Sequence, residues 1–164
     1  MSEYKDMFVE EAREHLQTLN QTLVDFEENP KDADAMNKIF RAAHTLKGMA
    51  AAMNYDEIQN LSHKTEDTLD LIRNNQLEIS TDLVDLIFNC FDGLEIMVEE
   101  IAESDKTEYD ITDLIKKLEG YIDQGEQDLS KAKKPKKEKP KKTKKQTLIL
   151  SKTNLNKIKK EMDS

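Results

Sequence analysis

The chain has 164 residues, a formal net charge of −9 and one cysteine, Cys90. A chain of this length can bury one ordinary core, and a single cysteine excludes an internal disulfide. No apolar N-terminal segment resembles a signal peptide or a membrane span, so we expect a cytoplasmic protein without direct membrane insertion. Only four glycines and three prolines interrupt a composition rich in helix formers, which favours an all-α fold.

The charge is distributed unevenly along the chain. Residues 131–145 contain ten lysines and one glutamate, and residues 146–164 add a net charge of +2, so the first 130 residues carry −20. An acidic surface of this size repels nucleic acid and lipid headgroups and attracts basic partners. We therefore expect no nucleic-acid partner for this part of the chain.

Two amphipathic helices are predicted at the N-terminus. Over residues 3–28 the apolar side chains recur at steps of three and four. Asn29-Pro30 ends this helix, because proline disfavours helical geometry in the residue before it. Asp32 or Asp34 can then cap a second helix that runs to about Met53.

Three further helices are predicted after a turn at residues 54–56. The third covers residues 58–74, and the connector at residues 79–82 offers N-cap side chains for a fourth. The fourth helix extends over residues 83–101, and the shorter amphipathic segment at residues 110–122 is compatible with a fifth helix. Short connectors between long helices predict an antiparallel four-helix bundle with an added C-terminal helix.

These patterns divide the chain into three parts. Residues 1–125 form the predicted helical bundle, and residues 126–146 form a predicted flexible linker rich in lysine and proline. Residues 147–164 have the pattern of a short strand followed by a helix. Since one strand and one helix cannot bury a core, we expect this segment to be the start of a second domain, which is either truncated or completed by a partner.

Two small residues of the fourth helix fall on its apolar side. Cys90 lies within the apolar stripe, where a small buried side chain is expected in place of a reactive thiol. Gly93 is expected at a point of close packing. Neither residue is therefore a candidate for chemistry.

A candidate for chemistry occurs in the second helix. His44 lies at the margin of the apolar stripe, and Lys47 and Gly48 follow it one turn later on the same face. A neutral imidazole is a nitrogen nucleophile, and an adjacent ammonium can neutralise an incoming phosphoryl group. The same spacing is also compatible with a surface histidine that has an accidental neighbour. On the third helix, His63 and Glu66 lie away from the apolar stripe, and periodicity alone places both in solvent.

Three segments together resemble the histidine phosphotransfer domains of chemotaxis histidine kinases. The run Ile39-Phe40-Arg41-Ala42-Ala43-His44-Thr45-Leu46-Lys47-Gly48-Met49-Ala50 is similar to the phosphoacceptor helix of that family. The earlier Phe8-x-Glu10-Glu11-Ala12-x-Glu14-His15-Leu16 and the later Leu61-x-His63-Lys64-x-Glu66-Asp67 are similar to two further family segments. The resemblance covers residues 3–123, and the order of the three segments makes it specific.

The resemblance implies a function as well as a site. His44 would be phosphorylated at Nε2, and Glu66 would orient its ring through the hydrogen on Nδ1. Lys47 and His63 would support the phosphoryl charge and the surrounding network, and Gly48 would leave room for partner domains.

The resemblance also implies partners. An ATP-binding kinase domain would phosphorylate this chain, and response regulators of the receiver type would accept the phosphoryl group on an aspartate. The chain contains no glycine-rich ATP lid and no Walker-type loop, so it would bind no cofactor and would not be an enzyme by itself. Residues 147–164 would suit the start of a domain that docks response regulators, and other domains could link the protein to membrane receptor arrays. A free-standing phosphotransfer protein is the alternative.

Two other functions fit the sequence less well. A carboxylate-bridged metal site in a four-helix bundle requires Glu-x-x-His pairs, and no glutamate lies three residues before any of the three histidines. Binding of nucleic acid or membrane surfaces through the lysine tract would depend strongly on salt. That tract has no interleaved aromatic residues and is joined to an acidic domain, which favours a solvated linker.

Overall fold

The computed structural model describes the backbone of residues 2–136 and the side chains of residues 3–127. It contains the helices α1 (Ser2–Glu28), α2 (Ala33–Ala52), α3 (Asp56–Arg73), α4 (Thr81–Ser104) and α5 (Thr112–Lys136). The predicted all-α fold and its five helices are confirmed, and this part of the chain contains no strand. Within it, none of the helices combines the length and the apolar character that crossing a bilayer requires.

Helices α1 to α4 form a four-helix bundle. α1 packs against α2 and α4, and α3 packs against the same two helices from the other side. Short connectors make consecutive helices antiparallel. Large apolar side chains from all four helices are fully buried in the core, among them Leu19, Leu23, Ile39, Leu46, Leu61, Leu69, Phe91 and Met97.

Side-chain caps and left-handed residues define the helix ends. The carboxylate of Asp32 and the hydroxyl of Ser80 each accept a hydrogen bond of 3.1 Å from the backbone N–H three residues later, at the starts of α2 and α4. Such caps satisfy donors that a helix leaves unpaired. The chain leaves α2, α3 and α4 through residues with positive φ, a conformation that asparagine and aspartate tolerate best after glycine, namely Asn54, Asn75 and Asp105.

Helix α5 is longer than predicted. It starts at Thr112 and continues to Lys136, whereas the apolar pattern indicated an end near residue 122. Residues 126–136 consist mainly of glutamate, glutamine, lysine and alanine, which favour helix without producing an apolar stripe. The first part of the predicted linker is therefore helical. Residues 137–146 of that linker and the predicted strand-helix segment at residues 147–164 lie outside the described residues.

The two small residues of α4 are both buried. Cys90 is fully buried, and its burial raises the pKa of the thiol to about 12, so it is not a reactive thiolate. Gly93 faces the segment that precedes α5 and the start of α5 itself. A Cβ atom at Gly93 would lie 2.9 Å from the ring of Tyr109 and 3.2 Å from Leu114. The close packing expected at Gly93 is confirmed.

Candidate functional site

Helix α2 exposes His44 at the edge of its buried face. Ala43 and Leu46 are buried in the bundle, whereas 62% of the His44 side chain is exposed. Its imidazole borders an open cavity of about 300 Å³, whose other lining residues are Phe40, Arg41, Thr45 and Glu66. The helix therefore holds the backbone of His44 in place and leaves the ring accessible.

A single buried carboxylate joins α3 to two residues of α2. Glu66 lies on α3, and only 7% of its side chain is exposed. Its Oε2 atom lies 2.5 Å from Nδ1 of His44, and its Oε1 atom lies 2.7 Å from Nζ of Lys47. Periodicity alone placed Glu66 in solvent, and that expectation was wrong because α2 covers this side of α3.

The ionisation of Glu66 follows from these contacts. Burial alone raises the pKa of a carboxyl group, because the charged form loses its hydration. For Glu66 the hydrogen bonds and charges of Lys47 and His44 outweigh burial, and together they hold its pKa below the ordinary value. Glu66 is consequently a carboxylate at neutral pH.

A carboxylate in this position determines the tautomer of His44. An ionised carboxylate can only accept hydrogen bonds, so the ring nitrogen next to it must donate. The hydrogen of a neutral imidazole therefore resides on Nδ1, and Nε2 of His44 carries the lone pair. The arrangement leaves an exposed ring with an accessible nucleophilic nitrogen.

Lys47 forms an ion pair with the carboxylate of Glu66 in this structure. Its side chain is 25% exposed, and its ammonium group pairs with Glu66. The pair offsets the charge of a carboxylate that the bundle has largely removed from water. A direct contact of Lys47 with a phosphoryl group stays a prediction from the resemblance.

Gly48 is exposed, and a Cβ atom placed there would meet nothing within 4 Å. We expect Gly48→Ala to raise the free energy of unfolding by about 0.5–1 kcal/mol, because glycine is unfavourable inside a helix. Gly93→Ala provides the contrast and should lower it by about 1–3 kcal/mol through overpacking against Tyr109. Urea denaturation at neutral pH measures both changes.

The role assigned to Gly48 can be tested with the same variant. If partner domains approach the backbone at this position, Gly48→Ala should be phosphorylated more slowly even though it is more stable. An unchanged phosphorylation rate would contradict a requirement for open space at Gly48.

His63 lies apart from the three residues just described. Its side chain is 53% exposed on α3, and its Nε2 atom lies 3.6 Å from a carboxylate oxygen of Asp67. No hydrogen bond or ion pair joins it to His44 or Glu66 within the part of the chain that the structure describes. In the same described part, no group of three or more histidine, cysteine or acidic residues is arranged to hold a metal ion.

Two residues near His44 received no role from the sequence. The ring of Phe40 lies almost parallel to the imidazole of His44, with centroids 6.4 Å apart and planes at 16°. The guanidinium carbon of Arg73 lies 3.8 Å from the centroid of the Phe40 ring. The four-residue spacing of Phe40 and His44 could have indicated the first contact, but the second depends on how α3 packs against α2.

Comparisons with known proteins identify relatives of this chain. The model of the Hpt domain family matches residues 3–104. The chemotaxis protein CheA of Bacillus subtilis is 43% identical over 119 residues, which make up 73% of this chain and 18% of that protein. The chain thus spans less than a fifth of the length of that relative.

Solved structures share the fold. The CheA phosphotransferase domain from Thermotoga maritima is 44% identical and superposes with a TM-score of 0.60 over 62% of this chain and 96% of that chain. The phosphorylated P1 domain of CheA3 from R. sphaeroides, solved in complex with CheY6, is 23% identical with a TM-score of 0.69. That alignment covers 75% of this chain and 98% of the P1 domain, and at this identity it shows the fold alone.

Proposed function

This chain belongs to the histidine phosphotransfer (Hpt) family, and we propose that it is a phosphocarrier module of a two-component chemotaxis kinase. His44 receives a phosphoryl group from a separate ATP-binding kinase domain and passes it to an aspartate of a response regulator. The observation that carries the proposal is the hydrogen bond between Nδ1 of His44 and Glu66, with the ring otherwise exposed.

The proposed chemistry starts at Nε2 of His44. Its lone pair attacks the γ-phosphorus of ATP, a nitrogen–phosphorus bond forms, and the bond to the oxygen of ADP breaks. The ring keeps its hydrogen on Nδ1 and becomes positively charged, which the carboxylate of Glu66 stabilises. An aspartate oxygen of the regulator then attacks the phosphorus, and the neutral imidazole leaves. No proton has to move in either step, because the required tautomer is already present.

A phosphorylated His44 would need a cation nearby. A phosphoryl group brings about −1.5 to −2 charges at pH 7. It would enter a domain whose first 130 residues already carry −20, so a nearby cation is needed. Lys47 and Arg41 are the closest cations along α2, each three residues from His44, and Arg41 also lines the cavity beside the imidazole. The contribution of His63 to the site network rests on the resemblance alone.

The ATP chemistry and the partners are parts of the same proposal. The chain binds no cofactor itself, and ATP is used by the kinase domain. The P1 domain of CheA3 with the same fold was solved with CheY6, which supports a response regulator as the acceptor. A cytoplasmic location and a connection to receptor arrays through other domains stay predictions of the sequence.

Reconstitution tests the proposal directly. We expect the chain, mixed with a chemotaxis kinase domain and radiolabelled ATP, to acquire one phosphoryl group per molecule that is labile in acid and stable in base. Adding a receiver domain should then remove the label, and changing the acceptor aspartate of that receiver to asparagine should prevent the removal. Absence of label, or label that survives acid, would contradict a phosphohistidine.

A further inference from the structure

A second contact between α3 and the surroundings of His44 is not explained by the role of Glu66. Arg73 is the last residue of α3, two turns beyond Glu66. Its guanidinium lies over the ring of Phe40, and that ring lies beside the imidazole of His44. Helix α3 is therefore connected to His44 in two ways. Glu66 contacts the imidazole directly, and Arg73 contacts Phe40, which lies beside the imidazole.

The hydrogen bond to Glu66 restrains only one atom of the imidazole. The ring can still turn about the Cβ–Cγ bond of His44, and this rotation lengthens the hydrogen bond from Nδ1 to Glu66 and displaces Nε2. The side chain of His44 is 62% exposed, so the core supplies little additional restraint. An aromatic ring almost parallel to the imidazole limits the rotation on that side.

Phe40 in turn is restrained by Arg73. Phe40 is only partly buried, and the guanidinium 3.8 Å from its centroid is at the distance of a cation–π contact. Arg73 itself is held by Asp70, with 2.6 Å between Nη2 and the carboxylate oxygen. The series Asp70, Arg73, Phe40 and His44 is thus continuous from the end of α3 to the reactive ring.

We propose that Arg73 is a positioning residue, which acts through Phe40 to keep the imidazole of His44 aligned for reaction at Nε2. The inference deepens the proposed function and rests on it. Exposed ion pairs contribute little to folding stability, so the pair of Arg73 with Asp70 does not account for this arrangement.

The first test needs no partner protein. Nitrogen NMR of the His44 ring gives the ratio of the Nδ1–H to the Nε2–H tautomer. In Arg73→Gln and in Phe40→Leu we expect this ratio to fall about two- to fivefold, the size of one lost cation–π contact at an exposed position. Arg13→Gln is the matched control, because Arg13 also pairs with a carboxylate at the surface, Glu99, but joins α1 to α4. The control should leave the ratio unchanged.

The second test asks whether Arg73 acts through Phe40. If it does, adding Arg73→Gln to Phe40→Leu should change the tautomer ratio no further. With a kinase domain and ATP, Arg73→Gln should lower kcat for His44 phosphorylation two- to fivefold at constant KM. Urea denaturation of every variant identifies loss of fold.

Several results would overturn the proposal. An unchanged tautomer ratio in Arg73→Gln would show that Arg73 does not position the ring, and an undiminished effect in the Phe40→Leu background would show that it does not act through Phe40. A rise in KM alone would assign Arg73 to partner docking. If the wild-type chain fails to be phosphorylated while the NMR effects persist, the proposed function fails and the positioning contact stands.

Discussion

Replacing His44 by glutamine is expected to abolish phosphorylation of the chain by a kinase domain and ATP. Glutamine can still donate a hydrogen bond to Glu66, but its amide nitrogen has no available lone pair for attack on phosphorus. The expected result is label at background level, measured by acid-labile incorporation over a time course. Its effect is the largest expected for any variant of this chain, because the residue that forms the covalent bond is removed.

The control for His44→Gln is the same change at another histidine. His15 is partly buried on α1 and has no assigned role in the site, so His15→Gln should be labelled as the wild type is. Because most of the His44 side chain is exposed, the free energy of unfolding of His44→Gln should lie within about 0.5 kcal/mol of the wild-type value. Label in a folded His44→Gln protein would show that a residue other than His44 is phosphorylated.

Periodicity was sufficient for the position of His44 but not for that of Glu66. A three- and four-residue repeat reports which side of a helix is apolar, and this places His44 at the margin of α2. Glu66 lies outside the apolar stripe of α3 and is nevertheless buried, because Lys47 and His44 from α2 provide the polar partners that a buried carboxylate requires. Only the resemblance to a family indicated that pairing in advance.

The remaining differences have similar physical causes. Helix α5 continues to Lys136 because its second half relies on intrinsic helix propensity, which leaves no apolar pattern to read. The contact of Arg73 with Phe40 joins residues 33 positions apart in the sequence, and it depends on the packing of α3 on α2. Local patterns carry no information about either the end of a polar helix or a contact of this kind.

Removal of the Glu66 carboxylate is expected to have the second largest effect. In Glu66→Ala the imidazole of His44 loses the acceptor that fixes its tautomer, so Nε2 no longer carries the lone pair in every molecule. We expect phosphorylation of His44 to slow by about 10- to 100-fold, the same size of loss as when the group that orients a metal-binding histidine is removed. Glu66→Gln keeps the shape and one acceptor, and should retain more activity than Glu66→Ala. Initial rates at saturating kinase concentration measure both.

The same carboxylate makes stability depend on pH, which separates its charge from its shape. Burial alone would raise the pKa of Glu66, but its contacts with Lys47 and His44 lower it below the ordinary 4.5. The folded state therefore favours the ionised form of Glu66. The contribution of this carboxylate to the free energy of unfolding is complete at pH values above the ordinary pKa, and it disappears as pH falls through the folded-state pKa.

At pH 7 we expect the free energy of unfolding of the wild type to be about 1–2 kcal/mol larger than that of Glu66→Gln. Urea denaturation of both proteins should show a constant difference down to about pH 5.5 and a shrinking one below about pH 4.5. Glu99, whose pKa is also lowered, mainly by its hydrogen bonds with Arg13, is present in both proteins and cancels. A difference that persists unchanged at low pH would mean that the negative charge of Glu66 is not what stabilises the contact between α2 and α3.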